Sequence, residues 1–325
     1  MLTKAGSSRC PHWIEALMGS TLLQLRAGQA SLSLVPEQGA LVTELILPTP
    51  SGPRNVIDGA ILAQLPDNPG YRSAVLFPSP NRLRDGRYRF AGKDYQFAVN
   101  ETATQTALHY FLWRLPAEVT DVHVTDDYHR ATLLWRYDGN EPGYPFKADI
   151  YITYTVHAAG SLDVLMAVEN TDSVAIPVGL GWHPYYTLGV AIDQCSLHLP
   201  AVRRVEIDQR MLPTGELPVD DRFAQPALLE ATPLDNCFVL DGRSAEEQQV
   251  RLWSDAAGFG LAFWQQAGPS GLNFVQLYIP PDRQSLAVEP MSCGIDALNT
   301  EDGLVVLEPG QRYRANFGVR LITEI

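Results

Sequence analysis

Residues 148–171 read ADIYITYTVHAAGSLDVLMAVENT, and they give the clearest indication of how this chain folds. In both halves of the stretch every second residue is apolar or aromatic, at positions 150 to 156 and again at 162 to 168. This alternation is typical of strands with one buried face. The short segment HAAGSL (157–162) between the two runs predicts a tight turn, so the stretch is expected to form an antiparallel pair.

Similar alternation recurs along the chain, at 30–36, 88–99, 131–137 and 313–322. A second tight turn is predicted at FAGKDY (90–95), and 24 prolines and 25 glycines punctuate the short strands. Helical periodicity is scarce, and its best candidate is WIEALMG (13–19). The pattern therefore predicts an all-β, antiparallel sandwich or barrel.

The composition favours a globular protein that acts on small molecules. The chain has 325 residues, 46% of them hydrophobic and 19% charged, with a formal net charge of −13. Nucleic acids and anionic membrane surfaces bind clustered Lys and Arg, so neither is an expected partner. No segment has the apolar length of a signal peptide or membrane span, which predicts a cytoplasmic location. No linker divides the chain, which favours one domain.

The four cysteines, Cys10, Cys195, Cys237 and Cys293, are far apart and form no CxxC motif. Such spacing is unlike a zinc site or the disulfide framework of a small secreted domain. Reduced, buried or half-buried thiols are expected, with no bound metal.

His183 is the most informative candidate for chemistry, in GLGWHPYYTL (179–188). Pro184 restricts the preceding residue to extended geometry, which would fix the direction of the imidazole. An imidazole can give and take a proton near neutral pH. Tyr185 and Tyr186 offer one or two apolar walls for a sugar face. On these ten residues alone, a buried structural histidine is the stronger interpretation.

Other polar residues are also candidates for a functional site, because of the residues that surround them in the sequence. Glu289 follows the apolar run 285–288, and a charged residue there needs a partner or a task. Arg82 and Asn81 follow two prolines, where a guanidinium can bind a polyol or carboxylate, although a surface arginine is the simpler interpretation. His109, in LHYFLW (108–113), is by itself more typical of a core histidine.

Five motifs in order resemble the aldose 1-epimerase (mutarotase) family of the galactose-mutarotase-like superfamily. They are PNRLRDGRYRFAGKDYQFAVN (80–100), PGYPFKADIYITY (142–154), GWHPYYTL (181–188), LPTGE with PLDNCFVLDG (212–216, 233–242), and AVEPMSCGIDALN (287–299). The resemblance implies a large antiparallel β-sandwich over residues 30–325 with a cleft for a monosaccharide. Residues 1–29 are an N-terminal extension without an assigned role.

The resemblance also implies roles for single residues. His183 would protonate the ring oxygen, and Glu289 would accept the proton of the anomeric hydroxyl. Arg82, Asn81 and Asp235 would bind sugar hydroxyls, with Tyr185 beside them. The family often has His-Gly-Gly where this chain has His109 followed by Tyr110, so a sugar contact from His109 is an open question.

The implied chemistry is consistent with these residue types. Opening a pyranose removes the O1 proton and protonates O5, and reclosure after rotation about C1–C2 exchanges the anomers. A carboxylate and an imidazolium on opposite sides of the C–O–C unit meet both demands without a metal or nucleotide cofactor. Three alternatives remain open: a non-catalytic sugar-binding protein, a hexose-6-phosphate 1-epimerase, and a glycosidase that uses Asp235 with Glu289. A monomer or a homodimer is expected.

Overall fold

The computed structural model describes residues 12–15, 21–200, 203–240 and 247–323, which are built mainly from short strands. The first strands are β1 (His12–Glu15), β2 (Thr21–Ala27), β3 (Ala30–Val35), β4 (Leu41–Thr49), β5 (Gly52–Asn55), β6 (Ala74–Leu76), β7 (Arg82–Arg84), β8 (Arg87–Phe90), β9 (Lys93–Gln96), β10 (Thr106–Leu108), β11 (Glu118–Val124), β12 (Tyr128–Tyr137), β13 (Ala148–His157) and β14 (Ser161–Asn170). The others are β15 (Ile176–Val178), β16 (Gly181–His183), β17 (Tyr185–Tyr186), β18 (Ser196–His198), β19 (Arg203–Arg204), β20 (Ala227–Leu228), β21 (Asp235–Val239), β22 (Glu247–Ser254), β23 (Phe259–Gln266), β24 (Phe274–Tyr278), β25 (Leu286–Met291), β26 (Val305–Leu307) and β27 (Arg312–Ile322). Helical structure in these residues comprises α1 (Ala297–Thr300) and the 3-10 turns Leu62–Gln64, Leu112–Arg114 and Ile192–Gln194.

Two large sheets dominate the architecture. One has nine strands in the order β11-β12-β13-β14-β27-β23-β22-β18-β20. The other has seven, in the order β19-β21-β24-β25-β16-β6 with β17 also paired to β25. Strands β1 to β5 form a five-stranded sheet, and the pairings in these three sheets are antiparallel. The predicted antiparallel β-sandwich is confirmed.

The hairpin predicted from residues 148–171 lies in the interior of the nine-stranded sheet. Strands β13 and β14 pair over their full length, from Ala148 opposite Asn170 to His157 opposite Ser161. Burial alternates along β13, so its apolar residues face the core while the residues between them are half-buried. The second predicted turn, at residues 90–95, is confirmed by the pairing of β8 with β9.

Aromatic side chains join the two large sheets. Trp182 of β16 lies with its ring 6.0 Å from that of Tyr154 in β13 and 5.8 Å from that of Phe317 in β27. Tyr186 of β17 lies 4.4 Å from Phe263 of β23. These residues flank His183 in sequence, so the same packing that closes the core fixes the backbone on both sides of that histidine.

The helix predicted at residues 13–19 is wrong where the structure describes it. Residues 13–15 belong to β1, which pairs with β2 from His12 opposite Gln24 to Glu15 opposite Thr21. The seven residues of this stretch span only about two helical turns, which is too few to establish a periodicity. Strand pairing, in addition, depends on a partner elsewhere in the chain. Residues 16–19 lie outside the described part. No helix in the described residues is long and apolar enough to cross a bilayer.

Strand β2 lies within residues 1–29, the predicted extension. It pairs with β3, and its Leu23 and Leu25 are fully buried in the core. A single domain from residue 30 to the C-terminus stays a prediction. Cys195, Cys237 and Cys293 are buried and unbridged, as expected, and Cys10 lies outside the described residues.

Candidate active site

Strand register brings the two candidate proton-transfer residues together. Strand β25 pairs with β16 through Gly181 opposite Met291, and with β17 through Tyr185 opposite Ala287. The same antiparallel register puts His183 opposite Glu289, on neighbouring strands. Pro184 separates β16 from β17 and donates no hydrogen bond to the ladder. Two motifs about a hundred residues apart in sequence thus meet at one point of the sheet.

The two side chains are in direct contact. His183 Nε2 lies 3.3 Å from Glu289 Oε1, and the side chains are only 6% and 2% exposed. Burial lowers the pKa of His183 to about 3 and raises the pKa of Glu289 well above its usual range. The position of the acid and the base relative to the ring of a bound sugar stays a prediction. O1 and O5 are bonded to the same carbon, so two groups in contact can each reach one of them.

A cavity of about 200 Å³ opens beside this pair. Since one water occupies about 30 Å³ of liquid, the cavity has the scale of a small molecule. Seven residues that the sequence analysis proposes for catalysis or sugar binding line it: Asn81, Arg82, His109, His183, Tyr185, Asp235 and Glu289. The structure brings these residues together, and their individual roles stay predictions.

His109 borders the cavity although Tyr110 replaces the glycine typical of the related motif. Both residues have left-handed backbone, with φ of 53° and 48°, a conformation that glycine adopts most readily. The Tyr110 ring turns into the core, 4.6 Å from Phe97, while the His109 ring lies edge-on to His183 at 5.0 Å. The substitution therefore keeps the glycine-like backbone and leaves His109 at the cavity. Burial lowers the pKa of His109 well below its usual range.

The Arg82 guanidinium is held by Glu101. Arg82 Nε donates to Glu101 Oε2 at 2.7 Å, and Arg82 Nη2 donates to Oε1 at 2.8 Å. The hydroxyls of Thr104 and Thr106 also donate to Oε2, at 2.5 and 2.7 Å. Burial alone would raise the pKa of Glu101, but these hydrogen bonds lower it to about 2. Such a two-pronged pair fixes the plane of the guanidinium at the cavity wall.

Asp235 and Asn81 are connected through Gln276. Gln276 Nε2 donates to Asp235 Oδ1 at 2.7 Å, and Gln276 Oε1 accepts from Asn81 Nδ2 at 3.3 Å. Gln276 lies directly opposite Glu289 in the ladder between β24 and β25. Asn81 also has left-handed backbone, with φ of 65°, and its Oδ1 accepts from the amide of Arg82 at 2.9 Å. Asn81, Asp235 and Gln276 thus form a connected polar surface in the lining of the cavity.

Tyr185 lies flat against the imidazole of His183. The two ring centroids are 5.0 Å apart with an interplanar angle of 15°, and Tyr185 Oη donates to the carbonyl of Gly70 at 2.7 Å. Tyr185 therefore holds the histidine ring in one orientation as well as bordering the cavity. Tyr186, the second predicted wall, packs into the core against Phe263.

Sequence reasoning missed Glu101, Gln276 and Tyr71, which also line the cavity. Gln276 could have been noticed as a polar residue in the apolar strand FVQLY. Glu101 and Tyr71 carry no comparable signal, because strand pairing and loop geometry bring them to the cavity. Tyr71 has φ of 55°, and its ring lies 4.7 Å from that of His109.

Comparison with known proteins identifies the family of this chain. The family model described as Aldose 1-epimerase matches residues 21–320. The uncharacterized protein YihR of Escherichia coli (strain K12) is 33% identical over 256 residues, which cover 75% of this chain and 77% of that protein. Galactose mutarotase from Homo sapiens is 26% identical over 151 residues, 45% of this chain and 42% of that protein. A solved galactose mutarotase-like protein from Clostridium acetobutylicum has a TM-score of 0.82 at 18% identity, covering 97% of this chain and 99% of that one.

Proposed function

Because the chain belongs to the aldose 1-epimerase family, we propose that it interconverts the α and β anomers of an unphosphorylated aldohexose. The observation that carries the proposal is the buried 3.3 Å contact between His183 and Glu289 at the wall of a small polar cavity. A carboxylate and an imidazole in contact can exchange a proton with each other and with two oxygens on one carbon.

In the proposed reaction Glu289 removes the proton from O1 while His183 protonates O5. The C1–O5 bond breaks and its electron pair goes to O5, while the O1 electrons form the C1=O1 double bond. After rotation about C1–C2, the reverse transfers close the ring with O1 on the other face. The pair holds one proton before and after each turnover. Burial favours that proton on Glu289 in the empty site, and the contact with His183 gives it a direct route to the imidazole.

The charges around the cavity favour a neutral sugar over a hexose phosphate. Three carboxyl side chains line it, from Glu101, Asp235 and Glu289, and Arg82 is the cationic side chain among the described lining residues. Two nitrogens of the Arg82 guanidinium, Nε and Nη2, already donate to the carboxylate of Glu101. A phosphate dianion would bring further negative charge to a site with three carboxyl groups and a guanidinium already paired with Glu101, whereas neutral sugar hydroxyls can accept from Arg82 and donate to Asp235.

The experiment is polarimetry or anomeric proton NMR on freshly dissolved α-D-glucose and α-D-galactose with purified protein. We expect faster approach to the anomeric equilibrium with at least one free hexose than with the corresponding 6-phosphate. Acceleration of the 6-phosphates alone would favour a hexose-6-phosphate epimerase. Calorimetric binding of sugar without any acceleration would make this chain a sugar-binding protein.

The pH dependence of the reaction follows from the shifted pair. With unshifted groups, the form with charged imidazole and carboxylate would decline about tenfold per pH unit above 6.5. Here the lowered pKa of His183 and the raised pKa of Glu289 extend the range over which the pair holds one proton. We therefore expect kcat/KM to fall less steeply with rising pH above 6.5 than it would for a pair with unshifted groups. A steep loss above pH 6.5, measured with the uncatalysed rate subtracted, would contradict this.

Glu101 is expected to act on sugar binding through Arg82. In Glu101→Gln the guanidinium loses its charged partner and one of its two acceptors, so its orientation at the cavity is no longer fixed. We expect KM to rise by about 10-fold with kcat changed less than about threefold, since a charge-assisted hydrogen bond contributes about 1.5–3 kcal/mol. Progress curves over a range of sugar concentrations give both constants. The matched control is Glu118→Gln, which removes an exposed pair with Arg136. Equal changes in KM in both variants would contradict a role of Glu101 in sugar binding through Arg82.

A further inference from the structure

Three side chains at the cavity form a cluster that acid-base chemistry alone does not require. One nitrogen from each of His109 and His183 and one oxygen of Glu289 lie within 4.8 Å of one another, and the three residues are buried. His109 Nδ1, His183 Nδ1 and Glu289 Oε2 are buried without a hydrogen-bond partner in the described residues. Buried polar atoms normally have partners, so a cluster with three unpartnered atoms has binding capacity that the hydrogen bonds of the described residues leave unused.

The donor set matches a transition metal. Two histidines and one glutamate, with a further position open to a cavity, are a pattern seen at catalytic zinc sites. With metal–ligand distances of about 2.0–2.2 Å, tetrahedral ligand atoms lie about 3.4 Å apart. His183 Nε2 and Glu289 Oε1 already have this spacing, at 3.3 Å, so these two atoms would be the ligands from His183 and Glu289. Rotation of the His109 ring, which lies edge-on to His183, would bring in the third donor. Imidazole ligands favour Zn²⁺ over Mg²⁺, which prefers oxygen ligands and water.

We propose that His109, His183 and Glu289 bind Zn²⁺, and that bound Zn²⁺ and sugar exclude each other. The metal occupies the atoms of His183 and Glu289 that the proposed reaction needs for proton transfer, so zinc acts as an inhibitor. Metal binding stands independently of the proposed function. Inhibition of anomer exchange rests on it.

Metal binding is tested first by calorimetry on metal-free protein. We expect one Zn²⁺ bound in the cavity and no measurable binding of Mg²⁺. His109→Gln should weaken that site by at least about 100-fold, because it removes one of three ligands. The control is His123→Gln, which changes an exposed histidine on β11 and should leave the affinity unchanged. Equal affinity in wild type and His109→Gln would overturn the proposal, as would no binding to wild type.

A second measurement guards against a variant that fails to fold. On the wild-type protein, increasing concentrations of whichever free hexose binds should weaken the apparent Zn²⁺ affinity by a factor that rises linearly with the sugar concentration. Where anomer exchange is observed, Zn²⁺ should slow it with a half-inhibition concentration equal to its Kd at sugar concentrations well below KM, and a chelator should restore the rate. Zinc and sugar that bind simultaneously with unchanged affinities would refute the exclusion.

Discussion

Replacing Glu289 by glutamine is expected to lower kcat for anomer exchange by about 10²–10⁴-fold. The amide has nearly the same size as the carboxyl group and can still form hydrogen bonds in the buried site. It cannot accept the O1 proton, so the transfer that starts ring opening is lost. The rate is measured by anomeric proton NMR with the uncatalysed exchange subtracted. The control is Glu308→Gln, which changes an exposed carboxylate that does not line the cavity. A Glu289→Gln enzyme within about tenfold of wild type would remove Glu289 from the mechanism.

The Glu289→Gln variant is expected to be at least as stable as the wild-type protein at neutral pH, although it is less active. Burial raises the pKa of Glu289, so the folded protein holds a proton that the unfolded chain releases above its usual carboxyl pKa. This difference penalises the native state at neutral pH and disappears as the pH falls below that usual value. Glutamine carries no such penalty. Glu289→Gln should therefore melt at or above the wild-type temperature at pH 7, which separates loss of chemistry from loss of fold.

Replacing His183 by asparagine is expected to lower kcat by about 10²–10⁴-fold as well. Asparagine can occupy the end of β16 and donate a hydrogen bond, but it cannot deliver a proton to O5. Because the two groups act in one exchange, the double variant with Glu289→Gln should be no slower than the worse single variant by more than about tenfold. Full activity in His183→Asn would assign the proton on O5 to another donor. The control is His123→Asn on the exposed face of β11.

The elements that sequence could predict are those with local signals. Strands β13 and β14 show their alternation directly, and the hairpin between them follows from a short turn. The candidate site was reached through ordered motifs, since no local pattern states that residue 183 faces residue 289. Their contact depends on the register of β16 and β17 with β25, which is set by the packing of the whole sheet.

The sequence alone could not predict the hydrogen-bond partners that this packing brings to the cavity residues. Glu101 reaches Arg82 through the turn between residue 101 and β10, and Gln276 reaches Asp235 across two paired strands. The predicted helix at 13–19 failed for the same reason. Its first residues are held by strand β2, which is a tertiary contact that short-range periodicity does not contain.

The residues with left-handed backbone around the cavity restrict where in this protein stabilising substitutions can be made. Tyr71, Asn81 and His109 each hold positive φ at the cavity wall, a conformation that costs a non-glycine residue about 1–2 kcal/mol. Glycine at these positions would relieve that strain but would lose the ring packing of Tyr71 and His109 and the hydrogen bonds of Asn81. Each such exchange would also delete a side chain from the cavity wall. Laboratory evolution of this scaffold should therefore find its stabilising changes elsewhere, in the outer strands, whenever catalysis is selected at the same time.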